Sequence, residues 1–163
     1  MFQKRTSLSA TFATLAVVAV VAVPTAQAKT KHQYTSVIRS NGISTGAGYP
    51  AVGGTAVVVG TWTTKLFGAG AVVDHVKITG RPDDTTFAFG GTELCYAPKG
   101  TIRNVFKGTA VIQPDGSQKL SITGTFTDGT GAYRGATGSF TFTGATAPGS
   151  LIVDGRSAGT VTY

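Results

Sequence analysis

The sequence predicts an all-β protein, a single antiparallel β-barrel domain behind an N-terminal signal peptide. Three observations lead there. Helical periodicity is nearly absent after the first 28 residues. Short runs of Val, Ile, Thr and Phe recur, separated by Gly, Pro, Asp and Asn, which is the punctuation of strands and turns. Several of those runs alternate strictly between apolar and hydroxyl-bearing residues, as a sheet with one buried and one wet face requires.

The chain opens with the basic stretch Met1-Phe2-Gln3-Lys4-Arg5, continues with an Ala- and Val-rich run to Val23, and reaches Pro24 and Ala26-Gln27-Ala28. Charged start, apolar middle and small-residue end are the three parts of a secretory signal peptide, with cleavage expected after Ala28. The apolar run falls short of the roughly 20 residues that span a bilayer. The expected division is a signal over 1–28 and one domain over 29–163. The expected location is extracellular or periplasmic, with no membrane attachment after cleavage.

Fourteen Lys and Arg, two of them (Lys4 and Arg5) in the leader, face seven Asp and Glu, leaving a net +5 on residues 29–163. An excess of that size aids solubility. The cations are scattered and do not interleave with aromatics, so the pattern of a single-strand nucleic-acid groove is missing. Cys95 is the one cysteine. No internal disulfide can form, and Cys95, within the strand-like run Glu93-Leu94-Cys95-Tyr96, reads as a small buried apolar residue.

Candidate strands are 34–39, 54–62, 71–79, 85–89, 92–97, 101–113, 118–128, 138–144 and 151–163. Gln113-Pro114-Asp115-Gly116-Ser117 is a strong hairpin signal, with Pro setting φ and Gly taking φ > 0. Asp128-Gly129-Thr130-Gly131 plays a similar part, and residues 41–54 read as a long glycine-rich irregular segment. Leu120, Ile122, Gly124 and Phe126 share one face, as do Phe140 and Phe142; rows of Thr and Ser occupy the other. Glycines inside strands, such as Gly60, Gly108 and Gly124, suit the bends of a closed barrel. Closure also removes exposed strand edges, which favours a barrel over a sandwich.

The segment Ile122-Thr123-Gly124-Thr125-Phe126-Thr127-Asp128-Gly129-Thr130-Gly131-Ala132-Tyr133-Arg134-Gly135-Ala136-Thr137-Gly138 resembles the G-T-G-x-[YF]-x-G-A-x-G signature of the allene oxide cyclase barrel-like superfamily. That group includes plant dirigent proteins and many secreted bacterial proteins. The resemblance implies an eight-stranded antiparallel barrel, often a homo-oligomer. It also implies an apolar cavity that holds a fatty-acid epoxide or a phenolic intermediate and guides its cyclisation or coupling. Arg134 matches one member of the basic pair common in plant dirigents, and Thr137 stands where the second Arg would be. No acidic residue here matches the dirigents' cavity acids by local motif.

Five residues are candidate ligand contacts. Asp74 alternates with Val72, Val76 and Ile78. A carboxylate on that apolar face would be desolvated and its pKa raised, a condition suited to acid–base work; its plainer role is to cap a barrel end or accept backbone hydrogen bonds. Its neighbour His75 must point to the opposite face. Glu93 and Cys95 share a face, with Leu94 and Tyr96 on the other. Tyr96 and Tyr133 could orient a ligand by hydrogen bonding, or pack with their hydroxyls at an edge. Arg103 shares a face with Val105 and Lys107. If inward, it offers a cation to an anionic ligand; if outward, it is solvated surface. Arg134 follows from the resemblance. Trp62, the one tryptophan, is expected to plug a barrel end. No metal set, phosphate loop or Gly-x-Ser-x-Gly elbow stands in the sequence, so no cofactor is expected.

Three functions stay open at this level. The leading one is a secreted barrel binding a small apolar or phenolic molecule. The others are a dirigent- or cyclase-type enzyme and a structural or interaction protein at the cell surface. An outer-membrane barrel is disfavoured because the outward rows are Thr and Ser rather than an apolar band with aromatic girdles.

Overall fold

The computed structural model describes residues 29–163. The expected signal, 1–28, lies outside the described residues. Eight antiparallel strands follow one another around a closed barrel: β1 (Lys31–Thr45), β2 (Thr55–Thr64), β3 (Gly68–Gly80), β4 (Thr86–Ala97), β5 (Gly100–Ile112), β6 (Gln118–Gly129), β7 (Thr137–Thr146) and β8 (Val153–Thr162). Each strand pairs with the next, and β8 closes onto β1 from Lys31↔Thr162 to Arg39↔Asp154. No edge strand is left, so every strand gains ladder hydrogen bonds on both sides.

Alternation sets the inside. Tyr34, Ser36, Ile38 and Ser40 of β1 point inward, as do Trp62 of β2, Val72 and Ile78 of β3, and Glu93 and Cys95 of β4. Ile102, Asn104 and Ala110 of β5, Phe126 of β6, Phe140 and Phe142 of β7, and Ser157 and Val161 of β8 complete the lining. The Thr rows of β6 and β7 face outward, as the sequence predicts.

Nine candidate strands become eight because 85–89 and 92–97 are one strand. Gly90 and Gly91 look like a turn in the sequence, yet they run straight through β4. A Cβ on Gly91 would lie 2.0 Å from the His75 carbonyl oxygen, so that residue type answers a close approach of β3 rather than a reversal. The 41–54 segment is likewise shorter than expected. β1 continues to Thr45 through a bulge at Ser40/Gly42, leaving residues 46–54 as the irregular loop. The second expected hairpin is wider: a 3₁₀ turn, Gly131–Tyr133, tucks Tyr133 back under the barrel.

The loops sort to two ends. Connections 65–67, 98–99 and 130–136, with Lys29 and Tyr163 at the limits of the described residues, close one end. Connections 46–54, 81–85, 113–117 and 147–152 surround the other. Two of the latter are pinned by Asp side chains. Asp115 Oδ1 accepts from Ser117 N and Oγ at 2.9 and 2.7 Å, beside Gly116 at φ +81°; Asp83 Oδ1 accepts from Thr85 N and Oγ1, both at 2.8 Å.

The first end is plugged by aromatics. Trp62, 1 % exposed, donates its indole N–H to the Tyr96 carbonyl oxygen at 3.1 Å. Phe67, from the β2–β3 turn, packs against Trp62 and edge-on against Tyr133, with ring centroids 5.7 and 4.9 Å apart. Tyr34, Phe126 and Tyr163 extend the same cluster.

Candidate functional site

The other half of the barrel is not filled. A cavity of about 330 Å³ opens at the end opposite the plug, at the low end of the roughly 300–1,000 Å³ typical of small-molecule sites. Its wall is mostly aliphatic and aromatic, including Val58, Ile78, Phe89, Phe106 and Phe140, with Tyr49 and Pro50 of the β1–β2 loop at the rim. The only ionisable carboxyls in the lining are Asp74 and Glu93, and no Lys, Arg or His side chain is among the lining residues.

These acids belong to a row laid down by strand register. Asp74 of β3 is the direct cross-strand partner of Glu93 of β4, and Glu93 is the partner of Asn104 of β5. Directly opposed residues on one face of an antiparallel pair have Cβ atoms about 5 Å apart, so the three polar ends meet on the inner wall. Asn104 Nδ2 donates to Glu93 Oε1. The Cys95 thiol, two residues along β4, donates to the same oxygen at 3.1 Å. Asp74 Oδ1 and Asn104 Oδ1 are buried and have no hydrogen-bond partner among the described residues.

Burial in an apolar wall penalises the charged form of both acids, and each raises the other's cost of ionising. Desolvation first, then the Glu93 charge and a hydrogen bond with Glu93, push the Asp74 carboxyl up to about 8. Desolvation also raises Glu93, while hydrogen bonds from Cys95, Asn104 and Asp74 pull the other way. The pair therefore retains a shared proton near neutrality, and its ionisation belongs to the two groups together. Burial and the neighbouring Glu93 charge drive the Cys95 thiol well above its ordinary range. The Tyr34 phenol, behind the row, is raised by burial and donates to Ser36 Oγ at 2.9 Å.

Cys95 is therefore a poor nucleophile. In the folded protein an aromatic disulfide thiol reagent should leave it unmodified over hours, with one equivalent reacting at once in denaturant; rapid labelling of the native state would contradict this environment.

Comparison of the sequence with protein-family models and with curated proteins returns no match. Comparison of the structure with solved structures returns the pterocarpan synthase dirigent protein GePTS1, at a TM-score of 0.57 and 10 % sequence identity, covering 85 % of this chain and 87 % of that one. The fold is that of a dirigent barrel. At that identity the likeness speaks for architecture, and the site has to be read from this chain's own residues.

Within the barrel the five sequence-derived candidates are dispersed. Asp74 lines the cavity. Tyr133 is buried in the aromatic plug, at the opposite end from the cavity mouth. Tyr96 is 46 % exposed on the outer wall, and only its backbone carbonyl contributes, to Trp62. Arg103 is exposed, so the outward alternative for its face is the one realised: Asn104, not Arg103, points inward on β5. Arg134 is exposed beside the 3₁₀ turn. Glu93 and Asn104 were not among the candidates. Their signal was present in the face shared by Glu93 with Cys95 and in the alternation that carries Asn104 with Ile102 and Phe106. Their meeting with Asp74 depends on register across three strands, which no single strand encodes.

Proposed function

We propose that this chain is an exported barrel that takes a small, largely apolar or phenolic molecule into the open half of its interior. The observation that carries this reading is the unfilled, apolar-walled cavity with a polar row on one side, in a barrel whose other end is tightly packed. A protein whose only task was structural would gain stability by filling that space. A few polar groups set in an apolar wall are the usual means of orienting a ligand.

Native mass spectrometry of the protein recovered from its own culture medium tests this reading. A reproducible small-molecule adduct, released on denaturation, is expected. Ala110, 6 % exposed and lining the cavity between Phe87 and Leu120, is the place to block it. Ala110→Trp puts an indole into the space and should abolish the adduct while the barrel stays folded. A clean apo mass for the parent protein would move the reading toward a surface or structural role.

A second reading, a dirigent- or cyclase-type enzyme, is favoured by one specific observation. On the cavity wall, Asp74 opposite Glu93, its carboxyl pushed up to about 8, can both hold and release a proton near neutral pH. The same experiment separates the two with Asp74→Asn. A binder carries either an adduct of the same mass or none, whereas an enzyme retains an unconverted precursor of different mass.

A further inference from the structure

The row Asp74–Glu93–Asn104 has acceptors to spare and few donors. Its donors are the Asn104 amide, which serves Glu93, the Cys95 thiol, which serves the same Glu93 oxygen, and the proton shared by the two acids. Against these stand four carboxyl oxygens and the Asn104 carbonyl oxygen. Asp74 Oδ1, on a residue of the cavity wall, has no partner among the described residues, whereas Asn104, 1 % exposed and not part of the lining, serves the row from behind. A buried acceptor without a donor is a standing cost, so a ligand that brings donors is favoured over one that brings acceptors. The cavity's charge points the same way. Among the described residues that line it, Asp74 and Glu93 are the only acidic ones, and none is a Lys, Arg or His that could receive an anionic ligand.

We propose that the cavity is selective for apolar amines, an aromatic or aliphatic body carrying one ammonium group that seats against Asp74 and Glu93. This rests on the cavity-binding reading above and narrows it. An ammonium supplies three donors and the one positive charge that the row lacks. Its body meets Val58, Ile78, Phe89 and Phe106. A neutral phenol or alcohol supplies one donor and no charge. A carboxylate ligand adds a third acidic group to the row and is rejected.

Amine affinity rises with pH as the acid pair gives up its shared proton. The groups that face Asp74 are few. Across β2 stands Val58, and across β4 stands Glu93, with Cys95 beside it and Asn104 beyond on β5; Tyr34 and Ser36 of β1 and Ser157 of β8 close the interior behind the row. The thiol and the phenol are both held neutral in this range, so the carboxyls are the titrating pair.

The test is calorimetric titration of the purified protein with three probes sharing one body: 2-phenylethylamine, 2-phenylethanol and 3-phenylpropanoate. At pH 8.5 the amine should bind at least about tenfold more tightly than the alcohol, and the carboxylate more weakly than either. At pH 6 the amine's advantage should narrow, and the observed binding enthalpy should vary linearly with the buffer's ionisation enthalpy, the slope giving the protons released by the acid pair. Glu93→Gln and Asp74→Asn should each cut the amine's advantage and leave the alcohol's affinity within a factor of about three. If the alcohol binds as well as the amine in the parent protein, the amine inference falls and the cavity reading stands. If none of the three binds, both fall.

Discussion

Trp62→Ala should cost about 3–5 kcal/mol of stability, the range for removing a large buried aromatic side chain, and lower the melting temperature by something on the order of 10–20 °C. Trp62 is the largest fully buried side chain and holds one end of the barrel shut. Its removal takes away contacts with Phe67 and leaves the Tyr96 carbonyl oxygen without the indole N–H. That oxygen is part of a site with no slack. Gly70, the cross-strand partner of Trp62, sits so close that a Cβ there would lie 1.8 Å from the Tyr96 oxygen and 2.6 Å from the indole nitrogen. Gly70→Ala should therefore destabilise by a similar mechanism without touching the tryptophan. The two changes should be strongly non-additive, since each dismantles the same contact. Thermal unfolding of the two single variants and the double variant checks this. Simple addition of their effects, or a Trp62→Ala protein within a few degrees of the parent, would mean that the plug is not what closes the barrel.

The fold was legible because its determinants are local. Leu120, Ile122 and Phe126 alternate with Thr, and the Pro114-Asp115-Gly116 turn fixes the hairpin between β5 and β6. What was misread has a common cause. Gly90 and Gly91 signal a turn when read along one chain, but in the barrel they make room for the His75 carbonyl oxygen of the neighbouring strand. Closeness between strands is not written in the strand that supplies the glycine. Trp62 at a barrel end was foreseeable from size alone, since a barrel this narrow must fill its interior with side chains somewhere.

The candidate site was legible only in part, for the same reason. Asp74 announces itself by sitting on an apolar face. Arg103 could not be placed, because a strand with Ile102, Phe106 and Ala110 on one side and Val105 on the other offers apolar residues to both faces. Val105 and Tyr96 are in fact exposed. Glu93 looked like one charge in a mixed run until register set it between Asp74 and Asn104. The motif that carried the resemblance, residues 122–138, lies mainly on β6 and the plugged end. It spoke for architecture and was silent about the acids across the barrel.

Those acids should give the protein an unusual pH dependence. A carboxyl that is paired or hydrogen-bonded to donors usually titrates lower in the folded state, and its stabilising effect is lost in acid. Asp74 is opposite in sign. Its folded value, about 8, lies above its unfolded value of 3.8, so the folded state binds the proton more tightly than the unfolded chain. The native state is then favoured fully below about pH 4. That advantage is lost progressively as pH rises toward 8, at a rate of up to about 1.4 kcal/mol per pH unit for one proton. The exposed Asp83 and Asp115, lowered by hydrogen bonds within their turns, act in the opposite sense, but only below the ordinary carboxylate range. Melting temperature should therefore fall from pH 5 to pH 8 and level off above it. Asp74→Asn keeps the shape, removes the titration and should flatten that slope, so the variant overtakes the parent at alkaline pH. Glu93→Gln should do the same in part, because it relieves the charge that keeps Asp74 protonated. Melting curves at half-unit steps from pH 4.5 to 9 decide the matter. A parent protein that grows more stable from pH 5 to pH 8, or an Asp74→Asn variant with an unchanged slope, would mean that the row is solvated and ionised and that its two acids do not share a proton.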